Sequence, residues 1–107
     1  MRKYSVEISG DAINDIVNLR ESLNTLYADV YNTEKVVTNI LSKIDSLATF
    51  PKRAMVFANL VGQDLRVTRS GRYTVVYYVD DEKGLVRVQG VFHSHRNIDG
   101  LLEERLR

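Results

Sequence analysis

Leu65-Arg-Val-Thr-Arg-Ser-Gly71, Arg72-Tyr-Thr-Val-Val-Tyr-Tyr-Val79 and Leu85-Val-Arg-Val-Gln-Gly-Val-Phe-His-Ser-His-Arg-Asn-Ile98 are three apolar runs separated by turn signals. Their reading decides the fold. Leu65 and Val67 alternate with Arg66 and Thr68, the period-two pattern of a strand with one buried face. Ser70-Gly71 marks a turn. Tyr73 to Val79 is apolar or aromatic everywhere except Thr74, as expected of a central strand covered on both sides. Asp80 to Gly84 makes a second turn, and Val86, Val88 and Phe92 then alternate with Arg87, Gln89 and His93. This pattern predicts an antiparallel meander of three strands. Arg66, Arg69, Arg72, Arg87 and Arg96 lie along it, so the meander is expected to present a basic face.

The flanking segments supply what such a sheet needs for a core. Tyr4, Val6 and Ile8 alternate with Lys3, Ser5 and Glu7, which predicts an N-terminal strand. The period changes at Ser9-Gly10-Asp11, where Ser9 is a candidate N-cap and Asp11 suits the positive end of a helix. Ile13, Ile16, Val17, Leu23, Leu26 and Tyr27 follow at near-helical spacing. After a break at Ala28 to Asn32, with Asn32 or Thr33 as cap, a second stripe runs through Val36, Val37, Ile40, Leu41, Ile44, Leu47 and Ala48. Two amphipathic helices with a short connection form an antiparallel hairpin, and the sheet is the surface they cover. Phe50-Pro51 ends the second helix. Residues 52–64 have no clear period and read as a connecting loop, with Lys52 and Arg53 exposed and Met55, Val56, Phe57 and Leu60 partly pinned to the core. Ile98, Leu101, Leu102 and Leu106 make a short C-terminal helix capped by Asn97. The expected architecture is a single α+β domain over residues 1–107: strand, helix hairpin, three-strand meander, short helix.

Composition narrows the function classes. The 107 residues are 44% hydrophobic and contain no cysteine, which suits one packed core and excludes a disulfide scaffold, a thiolate zinc site and a cysteine nucleophile. No apolar run approaches the roughly 20 residues of a membrane span, and the N-terminus has no signal-peptide pattern. A cytoplasmic protein is expected. Net charge is +1, but residues 1–50 carry five Lys/Arg against seven Asp/Glu while residues 51–107 carry ten against seven. His93 and His95, two residues apart, match no zinc spacing. Phosphate-cradling glycine loops are absent, and Ser94, His95 and Asp99 are too local for a nucleophile triad. No metal or cofactor is expected.

What remains is basic and aromatic. Metal-free RNA cleavage through a 2′-hydroxyl needs proton transfer, which suits histidine with its ordinary pKa of about 6.5, and cations at the phosphate, which suit the arginine fork. His95 and Arg96 at the strand exit are the better candidates, while His93 is open between burial against the C-terminal helix and the site. Tyr73, Tyr77 and Tyr78 read first as sheet residues.

Four motifs in order resemble the RelE/ParE superfamily of bacterial toxins from type II toxin–antitoxin systems: Tyr4-Ser-Val-Glu-Ile-Ser9 before an acidic helix, Leu47-Ala-Thr-Phe-Pro51, Arg72-Tyr-Thr-Val-Val-Tyr-Tyr-Val-Asp-Asp81, and Val91-Phe-His-Ser-His-Arg-Asn-Ile98. The resemblance spans nearly the whole chain. It implies a small growth-inhibiting toxin bound by a cognate antitoxin, in a toxin–antitoxin hetero-oligomer. RelE-like members cut mRNA on the ribosome; ParE-like members poison DNA gyrase and are not nucleases. His95 stands where some mRNA-cleaving relatives place a histidine, so a ribosome-dependent endoribonuclease is the leading expectation, with His95, Arg96 and Arg72 catalytic and Arg66, Arg69, Arg87, Lys52 and Arg53 on RNA phosphates. A gyrase inhibitor without catalysis is the alternative, favoured by Thr74, which stands where many RNA-cleaving members have arginine.

Overall fold

A computed structural model describes residues 3–27, 30–93 and 98–106. The elements run β1 (Ser5–Ile8), α1 (Gly10–Tyr27), α2 (Val30–Asp45), β2 (Val56–Leu60), β3 (Gln63–Ser70), β4 (Tyr73–Asp80), β5 (Leu85–His93) and α3 (Ile98–Leu106), with short 3-10 turns at Ser46–Ala48 and Pro51–Arg53. One five-stranded sheet has the order β1-β5-β4-β3-β2. β2 to β5 form an antiparallel meander, and β1 pairs parallel with β5, Ser5 opposite Leu85 and Ile8 opposite Val88.

The expected strands and helices form, and the N-cap reading holds: the Ser9 hydroxyl oxygen accepts the Ala12 N–H at 3.1 Å. Three details differ. First, α2 starts at Val30, so Thr33 sits one turn inside it and is buried; burial overrides capping propensity there. Second, the stretch read as a loop at 52–64 contains β2, so the three expected strands become four. Its cue is hidden because β2 bulges between Val56 and Ala58, and a bulge breaks the two-residue period. Phe57 and Leu60 are half-buried, while Met55 and Val56 are 78% and 38% exposed rather than pinned.

Third, β5 changes phase. Val76 of β4 faces Gly90 and Tyr77 faces Val88, leaving Gln89 as an extra residue. Everything after it switches face. Val86, Val88 and Val91 therefore join the core beneath α1 and α2, with Val75, Tyr77, Ile40 and Ile44. Phe92 joins a second core on the opposite face, with Leu65, Val76 and Leu102 of α3. His93 does not pack on the C-terminal helix. It is exposed, edge-on to Tyr73 with ring centroids 5.8 Å apart.

Beyond Val88, β5 outlasts its parallel neighbour, and side chains take over the role of a strand. Ser9 N–H donates to Val88 O at 3.0 Å. Asp15 Oδ2, from α1, then accepts the Val91 N–H at 3.0 Å. Arg105 Nη1, from α3, donates to Gln89 O at 3.1 Å and to Asp15 Oδ2 at 2.7 Å, and its Nη2 donates to Asp15 Oδ1 at 2.8 Å. A largely buried two-pronged ion pair thus satisfies the orphaned backbone of β5 and ties together helices on opposite faces of the sheet. The guanidinium also lies 4.9 Å from the Phe92 ring centroid. Asp15 holds Arg105 still more firmly protonated than a free arginine, against the opposing effect of burial.

The β2–β3 hairpin turns through Val61 (φ 50°) and Gly62 (φ 77°). A turn with two left-handed residues favours Asn-Gly, and a β-branched residue there is strained. Val61 is also 54% exposed, so no packing offsets the strain. Val61→Asn is expected to stabilise the fold by about 1 kcal/mol, read as a thermal midpoint raised by about 4 °C.

Candidate functional site

The helix hairpin does not cover its whole face of the sheet. The core beneath it draws on β1, β4 and β5 and on no residue of β3. An open trough, divided into two cavities with no lining residue in common, results along the boundary of α2 and β3. On the helix side Asn32, Val36, Asn39 and Lys43 follow one another at i, i+4, i+7 and i+11, a single helical face. On the sheet side stand Thr68 and Ser70. The wider end is a cavity of about 650 Å³ reaching Arg72 and Tyr73 at the β3–β4 turn. The narrower end, about 250 Å³, is bounded by Lys43, Phe50, Arg53 and Tyr77. Arg72, Lys43 and Arg53 are the charged residues of its wall, and all three are cations. Such a wall favours an anionic partner with hydrogen-bonding groups between its charges.

The floor at the narrow end is built rather than incidental. Tyr77 donates its hydroxyl to Pro51 O at 2.5 Å, and Arg66 Nη1 donates to Lys52 O at 3.0 Å and Ala54 O at 2.5 Å. These bonds hold the 51–54 segment against the sheet. Arg53 lies 5.7 Å from the centroid of exposed Phe50. Burial raises the Tyr77 pKa above 10.0, and the nearby Arg66 charge only partly opposes this. Because the folded value lies above the unfolded one, its contribution to stability is whole below pH 10 and is lost as pH rises through the folded value. Tyr77→Phe is therefore expected to flatten part of the stability loss above pH 10, after a pH-independent cost of about 1 kcal/mol for the missing hydrogen bond. Urea titrations at pH 8 and above pH 10 separate the two terms.

The expected basic face is divided in this fold. Arg69 and Arg87 project with Thr74 and Tyr78 toward the α3 side, because Arg69 stands opposite Thr74 and Arg87 opposite Tyr78. Arg66 and Arg72 lie on the helix-hairpin side. Arg66 serves the 51–54 backbone, Arg87 is paired with Glu7, and Lys52 is paired with Asp81. Asp81 also accepts the Tyr4 hydroxyl at 2.8 Å. Arg72 and Arg53 reach the trough, one at each end, with Arg69 exposed outside it. His95 and Arg96 lie outside the described residues. Among the described residues no group of three His, Cys, Asp or Glu could hold a metal ion, and no helix is long and apolar enough to cross a membrane. Lys43 and Asn39 were not singled out from sequence. Their signal was the polar half of the α2 pattern, which reads as a solvated face until β3 lies opposite it.

The profile of the ParE toxin of type II toxin–antitoxin systems, parDE, matches residues 6–98. The chain belongs to the ParE toxin family. No curated protein sequence matches it significantly. As a ParE-family toxin it shares its fold with solved structures of low identity. One is the chromosomal ParDE system of P. aeruginosa, with a TM-score of 0.72 at 12% identity over 87% of this chain and 98% of that one. The toxin–antitoxin complex RelBE2 of Mycobacterium tuberculosis has a TM-score of 0.64 at 20% identity, over 87% and 93%. A free-state mutant of the E. coli toxin RelE has 0.57 at 19%, over 96% and 93%. ParE-type and RelE-type proteins thus both share this architecture, and the chain is a toxin of a type II toxin–antitoxin system.

Proposed function

We propose that this toxin acts in the cytoplasm by binding DNA gyrase, without a catalytic step, and that a cognate antitoxin neutralises it. The observation that carries the reading is the dispersal of the described arginines. Stabilising a phosphate in an RNA-cleaving transition state needs cations converging on one point. Here Arg69 and Arg87 face one side of the sheet, Arg66 and Arg87 are engaged in structural bonds, and Arg53 and Arg72 stand at opposite ends of a trough. Spread cations suit a protein surface better than a single phosphorus. The second reading, ribosome-dependent mRNA cleavage, rests on His95 beside Arg96, a proton-transfer group next to a phosphate-binding one.

Two assays on the purified toxin divide these readings. Supercoiling by gyrase is expected to stop, and primer extension on mRNA from a translation reaction is expected to show no new ends. Cut mRNA with intact supercoiling would overturn the proposal. The cation-walled trough is assigned to an acidic segment of the antitoxin. Arg72→Ala and Lys43→Ala are each expected to weaken antitoxin binding about tenfold at low salt, with the loss shrinking as salt rises. Calorimetric titration at two ionic strengths checks this.

A further inference from the structure

The narrow cavity beside Phe50 stands apart from the wide one, and its cations are unpaired. Elsewhere Arg20 is paired with Glu34, Lys52 with Asp81, Arg87 with Glu7 and Arg105 with Asp15. Lys43 and Arg53 have no acidic partner among the described residues, and no acid lines the cavity they share. Two like charges on one small wall repel, and an anion between them relieves the repulsion. Thr49 and Thr68 add hydroxyl donors to the same wall. The Lys43 carbonyl, at the negative end of α2, would oppose an anion, but the Ser46 hydroxyl donates to it at 2.6 Å. Leu47, Ala54, Phe50 and Tyr77 make the rest of the lining apolar. Phe50 is 54% exposed and left-handed, with φ 54° and ψ 53°, a conformation unfavourable to any residue with a Cβ. The bonds from Tyr77 and Arg66 hold the backbone that follows it. Strain kept in place by its surroundings gathers at ligand clamps.

At about 250 Å³ the cavity lies below the roughly 300–1,000 Å³ of small-molecule sites, so it takes a group of residue size. We infer that it receives the C-terminal residue of a polypeptide, with the free α-carboxylate between Lys43 and Arg53 and an apolar side chain against Phe50 and Leu47. A chain terminus carries an anion and an apolar side chain on one residue. An internal Asp or Glu brings only the anion. A nucleotide carries its base and its phosphate on opposite sides of a sugar, too long a reach for a cavity this small. On the reading that this cation-walled face binds the antitoxin, on which this step rests, the terminus is the antitoxin's own. A segment lying along the wide cavity then ends at the narrow one.

N-acetyl-L-leucine has both features of such a terminus, and N-acetyl-L-leucinamide lacks the charge. In NMR titrations of the full chain the acid is expected to bind in the millimolar range and to move the amide signals of Thr49, Ala54 and Thr68. The amide is expected to bind about tenfold more weakly or worse. Lys43→Ala and Arg53→Ala should each weaken the acid about tenfold, while Lys83→Ala, in the β4–β5 turn, should not. Phe50→Asn, which suits a left-handed backbone, should weaken it with no fall in the thermal midpoint. Equal affinity for acid and amide would overturn the inference. So would tighter binding of adenosine 5′-monophosphate than of N-acetyl-L-leucine, which would assign the cavity to nucleic acid. With the cognate antitoxin itself, a Gly-Gly extension of its C-terminus is expected to weaken binding about tenfold. Binding weakened by Lys43→Ala but indifferent to the extension would overturn the terminal assignment and leave the antitoxin reading standing. Binding indifferent to both Lys43→Ala and Arg72→Ala would sink the antitoxin reading, and with it the assignment of the terminus to the antitoxin.

Discussion

Arg105→Ala is expected to cost the fold about 3–5 kcal/mol, a large share of the roughly 5–15 kcal/mol that stabilises a domain this size. The reason is what the side chain leaves behind. Asp15 retains 11% of its side-chain exposure and Arg105 18%, so removing the guanidinium strands a carboxylate away from water with a single remaining donor, the Val91 N–H. It also orphans Gln89 O and strips the cation from the Phe92 ring. Asp15→Ala should cost a similar amount by the reverse route, leaving a buried guanidinium and an unpaired Val91 N–H. The double variant Asp15→Ala/Arg105→Ala is expected to be less destabilised than the sum of the two, because neither charge is left alone. Urea denaturation of all four proteins measures the coupling. Additive effects would mean that the pair contributes nothing beyond its separate contacts. The contrast with Lys52–Asp81 and Arg87–Glu7 is useful. Those pairs are largely solvent-exposed, where breaking an ion pair changes little.

Gly90→Ala is the second large effect, expected at about 1–3 kcal/mol. A Cβ at Gly90 would run into the Phe92 ring and stand 2.9 Å from Arg105 Nη1. Phe92 cannot swing away, because it is buried in the second core with the guanidinium above it. The substitution therefore displaces either the ring or the clamp. The same unfolding assay reads the cost. Gly90→Ala placed on Arg105→Ala should cost less than on the unaltered protein, since one of the two obstructing groups is gone.

The sequence exposed whatever was periodic. β3 and the first half of β5 were visible as alternation, β4 as a continuous apolar run, and both long helices as apolar stripes. What broke a period was hidden. The bulge at Phe57 disguised β2 as a loop, and the extra residue Gln89 moved Phe92 and His93 to faces opposite those their spacing suggested. Contacts between distant residues carried no local signal either. Nothing near Asp15 announces Arg105, 90 positions away. The arginines were legible as residues but not as a site. A strand deals its side chains to alternate faces, so a run of arginines along a meander becomes cations on two surfaces, several already engaged by neighbours. Lys43 and Asn39 acquire meaning only once β3 lies opposite them.

The parallel pairing of β1 with β5 bears on when this toxin becomes a toxin. Glu7 and Arg87, neighbours across that pair, are 80 positions apart. On the ribosome β1 thus waits for β5, and the Asp15–Arg105 clamp waits longer still. Long-range pairing of this kind is slow to form. A nascent chain released early lacks the partner for its first strand and the anchor for its first helix, so aborted translation yields fragments without the assembled toxin surface. Assembly of the domain is thereby coupled to synthesis of the chain through Arg105.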